Sequence, residues 1–206
     1  MPEPPPGESD PVTPRHAASL IVLHGGASGP KLLMGMRGAD HRFMPNCLVF
    51  PGGSVDAADS VAPAASEPRP EVMRRLLVAA GPTLARALLL AAARELEEET
   101  GLTLGRPPAL DGLDYLCRAI TPAALPVRFD ARFLIVGASH VSGRLAGSGE
   151  LEGLRWYGLE EALALDLAIV TRGVIERLKD WLAMDEAARR ARTETPLLRE
   201  RVWRLE

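Results

Sequence analysis

The densest chemistry in the chain lies in nine residues, Arg94-Glu95-Leu96-Glu97-Glu98-Glu99-Thr100-Gly101-Leu102. On a helix of about 3.6 residues per turn, positions three and four apart share a face, so Glu95, Glu98 and Glu99 fall within roughly 100° of one another. Leu88, Leu89, Ala92 and Leu96 form an adjoining apolar stripe that would hold such a helix on a core, and Glu97 points away from both. Two carboxylates about 4 Å apart repel by about 4 kcal/mol at an effective dielectric near 20. A hard divalent cation removes that repulsion. Magnesium takes oxygen ligands while keeping several waters, which suits a few carboxylates plus a substrate phosphate. The plain alternative is a solvated acidic helix face.

The elements around this run would position it. Apolar spacing predicts a helix over 84–100, with Thr83 as its N-cap and Gly101 ending it as a left-handed C′ residue. A strand at 18–24 and another at 31–37, separated by a Gly- and Pro-containing turn, read as a hairpin. A short strand at 47–50 is stopped by Pro51-Gly52-Gly53. Residues 54–69 read as loop and 70–80 as an amphipathic helix. Further strands are expected near 114–120, 129–136 and 153–157, and helices at 159–165 and 168–188. The terminal RERVWRLE is ambiguous. Strands and helices mix without strict alternation, which argues for an α+β or sandwich layout over a doubly wound sheet.

The 206 residues, 47% hydrophobic, suffice for one domain, expected over 17–206. The Pro-rich, acidic stretch 1–16 is expected to be a disordered tail. A net charge of −3 gives no basic excess for nucleic acid. No apolar run is long enough for a membrane span. The basic residues are nearly all Arg, the only lysines being Lys31 and Lys179. Cys47 and Cys117 lack Cys or His neighbours at metal-ligand spacing and read as buried, inert thiols, which fits a cytoplasmic protein.

The phrase Gly53-x5-Asp59, followed by Arg94-Glu95-Leu96-x-Glu98-Glu99-x-Gly101-Leu102, resembles the Nudix box, G-x5-E-x7-REUxEExGU, where U is bulky and aliphatic. The second half agrees at every specified position. The first acid is Asp59 instead of Glu, and 34 residues separate it from Arg94 where the family has seven. The insertion, about 60–82, brings its own helix, and a long loop adds little closure entropy.

The resemblance implies an α/β/α sandwich in which the box forms a loop–helix–loop. It implies Mg2+ or Mn2+ held by the Gly53 carbonyl and the carboxylates of Glu95, Glu98 and Glu99. Arg94 would pair with Asp59 to brace the loop against the helix, with Gly52 and Gly101 as structural supports. The catalytic set would be Glu98, Glu95, Arg94 and a loop carboxylate beyond the box, Glu150 in preference to Glu152. Arg37, His41 and Arg42 flank the Pro-Gly-Gly turn. Arg128, Phe129, Asp130 and Arg132 stand at a strand start expected to face the cleft. Of these, Arg37, Arg42, Arg128 and Asp130 are the candidate substrate contacts; Trp156 and Trp181 are read as core. The implied reaction is metal-dependent hydrolysis of a phosphoanhydride in a small nucleotide-like molecule, with no nucleic-acid or membrane partner and a homodimer left open.

Phe43-Met44-Pro45, Val49-Phe50-Pro51-Gly52-Gly53 and Val55-Asp56-Ala57-Ala58-Asp59 are similar to coenzyme A diphosphatase-like members that also carry a long insertion in the box. An LLTxR-like phrase of a related branch is met only loosely by Leu32–Arg37. Coenzyme A or an acyl derivative is thus one candidate, beside ADP-ribose, NADH and dinucleotides. A Nudix-fold module that binds a nucleotide without cutting it, and a scaffold with an acidic surface helix, are the readings from other classes.

Overall fold

A computed structural model describes residues 12–26, 29–38, 44–147 and 149–206. His41 and Arg42 lie outside these residues, as does most of the stretch expected to be a tail. Arg15 and His16 do not belong to a tail: they open the first strand, β1 (Arg15–His24). Their backbone pairs in parallel with Phe129 and Asp130, a partnership that local composition does not encode.

The other strands are β2 (Lys31–Arg37), β3 (Leu48–Val49), β4 (Gly52–Ser54), β5 (Leu102–Thr103), β6 (Asp114–Ile120), β7 (Phe129–Gly137), β8 (Ser142–Gly143), β9 (Leu151–Gly158), β10 (Pro196–Arg199) and β11 (Val202–Leu205). Among the described residues nine of them form one mixed sheet in the order β11-β10-β6-β7-β1-β2-β3, with β4 on β1 and β9 on β2. β1 runs parallel to β7, and β10 runs parallel to β6. β1 and β2 pair as the expected antiparallel hairpin. The ambiguous tail is a second hairpin, β10–β11, docked on β6. The Pro-Gly-Gly stretch does more than stop a strand, because Gly52, Gly53 and Ser54 pair with Ser19, Ala18 and Ala17.

Side chains alternate across the sheet and build two cores. Ala18, Leu20, Val22, Leu134 and Val136 face α1 (Pro70–Leu76) and α2 (Pro82–Thr100). Ile21, Phe133, Ile135 and Cys117 face α3 (Leu159–Leu163) and α4 (Ile169–Ala183). This is the α/β/α sandwich expected from the sequence.

α2 begins two residues before the expected start. Pro82 takes the first helical position, where its fixed φ and missing N–H cost nothing, so Gly81 and not Thr83 is the N-cap. Leu88, Leu89, Ala92 and Leu96 are all buried, as the stripe predicts. α1 stops at Leu76, four residues short of its expected end; just beyond it the Ala79 carbonyl accepts a bond from the buried Arg132 guanidinium. The helix expected at 168–188 breaks at Met184, and Asp185 caps α5 (Glu186–Ala191) by accepting from Ala188 N. The inserted segment is part of the fold: Arg75, only 1% exposed, donates to the Tyr115 carbonyl and pairs with Asp114.

Candidate active site

The site forms where β4, the short 3₁₀ turn at Ala57–Ser60 and the C-terminal half of α2 meet. One close approach needs glycine and a second is eased by it. A Cβ on Gly52 would lie 2.4–2.5 Å from the backbone of Ala18 and Ser19, and one on Gly53 would lie 2.3 Å from Glu95 Oε1. The Glu95 carboxylate therefore lies directly on the Gly53 backbone. Gly52 N donates to Glu99 Oε2 at 2.8 Å, which fixes the loop on the helix from the other side. Gly101 ends α2 with φ 73°, and a Cβ there would come within 2.7 Å of the Arg144 carbonyl.

Arg94 is the hub. Its Nε and Nη2 each lie 3.0 Å from the two oxygens of Asp59, a bidentate pair, and Nη2 also donates to the Ser54 carbonyl at 3.0 Å. Nη1 reaches Glu95 Oε1 at 2.8 Å and Glu98 Oε2 at 2.9 Å. Asp59 is the buried partner expected for Arg94. The 3₁₀ turn packs against α2 and makes up for its shorter side chain. Asp56 N donates to Asp59 Oδ2 at 2.8 Å and holds the carboxylate in place.

The charges in this site are unevenly answered. Burial raises the Glu99 carboxyl to about 8, against the opposing bond from Gly52 N; the nearby charges of Glu95 and Glu150 push it further up, and Arg37 pulls it down. Burial also raises Glu95, with Arg94 opposing and Glu98 and Glu150 reinforcing the rise. Glu99 Oε1 is buried and has no hydrogen-bond partner. Glu97 lies off this face, paired with Arg106 and bonded to Thr103. Among the described residues no three acidic side chains are gathered as a finished metal cage. Arg94 holds Glu95 and Glu98 on one side while Glu99 turns to Gly52. An orphaned carboxylate oxygen, a raised carboxyl pair and an adjacent backbone that excludes any Cβ still fit a hard divalent cation, which needs few protein ligands.

Glu150 owes its position to the chain around it. Ala146 N donates to the Thr100 carbonyl at 2.9 Å, tying this loop to the end of α2, and Leu151 then pairs with Arg37 across β9 and β2. Its charge is felt by both Glu95 and Glu99. Glu152, two residues further on, is exposed opposite Met36.

Beside Gly52 and Gly53 opens a cleft of about 330 Å³ between the sheet and the start of α4. Its lining is mainly apolar and includes Phe50, Phe129, Phe133 and Leu198. Arg37 borders it, with a buried Nε that has no partner. Arg128 and Asp130 are not in the cleft. Alternation along β7 sends Phe129, Ala131 and Phe133 into it and Asp130 through the other face, onto Arg118 and Arg132. Arg128 donates to the carbonyls of Thr121 and Val12. The structure thus places both away from the cleft that the sequence expectation had them face. Trp156 and Trp181 are only partly buried against the cores, the latter donating to Asp114. Cys117 is buried and its thiol raised by that burial, whereas Cys47 is only half-buried; both are free.

Residues 86–178 match the NUDIX domain family. The match starts inside α2, so the Gly53–Asp59 half of the motif, upstream of the insertion, lies outside it. A NUDIX hydrolase from Alicyclobacillus acidocaldarius superposes with a TM-score of 0.63 at 25% identity, over 80% of this chain and 90% of that one. A MutT NUDIX hydrolase from Burkholderia pseudomallei gives 0.53 at 24% identity, over 81% and 99%. A MutT protein from Bacillus halodurans gives 0.55 at 15% identity, over 93% and 97%, a likeness of fold alone. The chain has the Nudix fold, and fold and match together support a hydrolase acting on phosphoanhydrides.

Sequence reasoning missed the aromatic floor of the cleft, although Phe50 and Phe129 stood in quoted phrases. It also missed Arg201, which borders the cleft from the C-terminal hairpin. Only its place in the ambiguous tail marked it.

Proposed function

We propose that this protein hydrolyses the diphosphate bond of a nucleoside diphosphate derivative, with magnesium or manganese held by Glu95, Glu98, Glu99 and the Gly53 carbonyl. The observation that carries this is Glu99, whose buried Oε1 lacks any partner, whose other oxygen accepts from Gly52 N, and whose carboxyl feels the charges of Glu95 and Glu150. When bound, the cation supplies charge neutralisation at the phosphate oxygens and activates water for attack. Arg94 sets the geometry of Glu95 and Glu98 and braces the loop through Asp59. Glu150 faces the same carboxylates from its own loop and is the residue we assign to accept the proton of the attacking water. Arg37, with a free Nε at the mouth of the cleft, would bind phosphate.

The cleft takes the remainder of the substrate. Coenzyme A and its acyl derivatives suit its apolar floor; ADP-ribose, NADH and dinucleotides are the other candidates. No helix among the described residues is long and apolar enough to cross a membrane, and we place the protein in the cytoplasm. The test is a substrate panel with magnesium or manganese, followed by mass-resolved products, on the wild type and Glu98→Gln. We expect turnover of at least one diphosphate, reduced about 100-fold or more in kcat by the substitution with ligand binding retained. No turnover at any metal concentration would leave a nucleotide-binding module as the better reading.

A further inference from the structure

The C-terminal hairpin is built against its local preference. Arg199 pairs with Val202, leaving Glu200-Arg201 as a two-residue loop with φ of 47° and 62°. That geometry is the mirror-image turn usually made by Asn-Gly or Asp-Gly. Left-handed backbone is unfavourable for any residue with a Cβ, and here two in a row adopt it. Strain of this kind persists where the surroundings impose it, and such positions cluster at ligand sites.

Each side chain of the turn has a distinct place. Glu200 Oε1 accepts from Ala123 N at 3.1 Å, which ties the hairpin to the loop after β6. Pro122 and Leu125 in that same loop line the cleft. Arg201, an exposed residue, also lines the cleft, and no hydrogen bond or ion pair engages its guanidinium among the described residues. The hairpin thus places a solvent-exposed arginine at the border of a mainly apolar lining, near the start of α4, whose N-cap makes no side-chain bond.

The sheet gives the separation. From β4, which carries Gly52 and Gly53, the path to β10 runs through β1, β7 and β6, four strand steps. At about 4.8 Å per step this is roughly 19 Å, less the reach of the arginine side chain. An arginine so far along the floor cannot serve the diphosphate at Gly53 as well.

We infer that Arg201 is a specificity-determining residue, binding a second anionic group, a phosphate or carboxylate, that the substrate carries on the order of 10 Å or more from its scissile diphosphate. This rests on the diphosphatase reading above. It extends that reading, because the apolar floor alone would not distinguish a substrate bearing such a group from one without it.

Matched pairs test the inference: coenzyme A with dephospho-coenzyme A, NADPH with NADH, and succinyl- with butyryl-coenzyme A. Each pair differs by one anionic group away from the diphosphate. Arg201→Gly suits the left-handed backbone, so its melting temperature should not fall, and a folding defect cannot imitate the result. In at least one pair the wild type should prefer the anionic member. Arg201→Gly should reduce that preference about ten-fold through KM, the loss of one charge-assisted hydrogen bond, with the kcat ratio kept and with partial return in Arg201→Lys. Calorimetric titration of the same pairs reads the same preference in Kd, so the inference can be judged even if the wild type cuts none of them and the diphosphatase reading fails. Equal shifts for both members of every pair, or no shift in any, would overturn it.

Discussion

Two groups of charged side chains lie at the sheet, and they are solved in opposite ways. On the α1/α2 side, Asp130 is gripped by Arg118 at 2.6 Å and Arg132 at 2.9 Å, with His16 at 3.5 Å; Arg118 also holds Glu206 at 2.7 Å. Burial alone would raise the Asp130 carboxyl, but those guanidiniums hold it below the ordinary carboxylate range. Around Gly53 one guanidinium, Arg94, is shared by Asp59, Glu95 and Glu98, and Glu99 receives only a backbone N–H. There the buried carboxyls are raised. Burial is common to both clusters; the supply of positive charge is not. The cluster that closes its own balance serves the fold, and the one left short of cations is where the proposed divalent ion would sit.

The comparison is broken most sharply by removing one carboxylate from each cluster. Glu99→Gln should lower kcat by about 100-fold or more, since it removes a buried oxygen assigned to the metal. The metal-free protein should melt no earlier, and by thermal scanning higher, because a poorly answered buried acid has gone. Asp130→Asn should do the reverse. Leaving two guanidiniums unpaired destabilises by about 3 kcal/mol, read from denaturant unfolding, with kcat kept in the fraction that stays folded. Equal loss of activity in both variants would erase the distinction.

A smaller effect follows from pH. The Glu99 carboxyl is raised from 4.5 to about 8 in the folded chain. Between those values the unfolded chain releases a proton that the folded one keeps. Its contribution to stability is therefore full below about 4.5 and is lost as the pH rises towards 8. The melting temperature of the metal-free protein should fall over that range, and saturating magnesium should flatten the fall, because binding favours the ionised site. Asp130 is lowered, so its contribution is present above the ordinary aspartate range and is lost on acidification. Glu99→Gln should remove the first limb and Asp130→Asn the second.

The sequence by itself determined the helix that carries the glutamates. Its apolar stripe, the acidic face and the glycine stop are local properties that 3.6-residue periodicity exposes. It also determined the Arg94–Asp59 brace and the likeness to the NUDIX family, through spacing that survives a long insertion. Tertiary structure decided what local pattern does not carry. β7 reads the same from either side, and only its packing sent Phe129 into the cleft and Asp130 onto Arg118 and Arg132. Glu150, preferred to Glu152 from the sequence, follows a loop that the bond from Ala146 N to Thr100 O ties to α2, a contact no local pattern carries. Arg201 became a cleft residue because β10 chose β6 as its partner, a contact between segments almost eighty positions apart. Pairings of that range depend on the whole sheet assembling, so no window along the chain contains them.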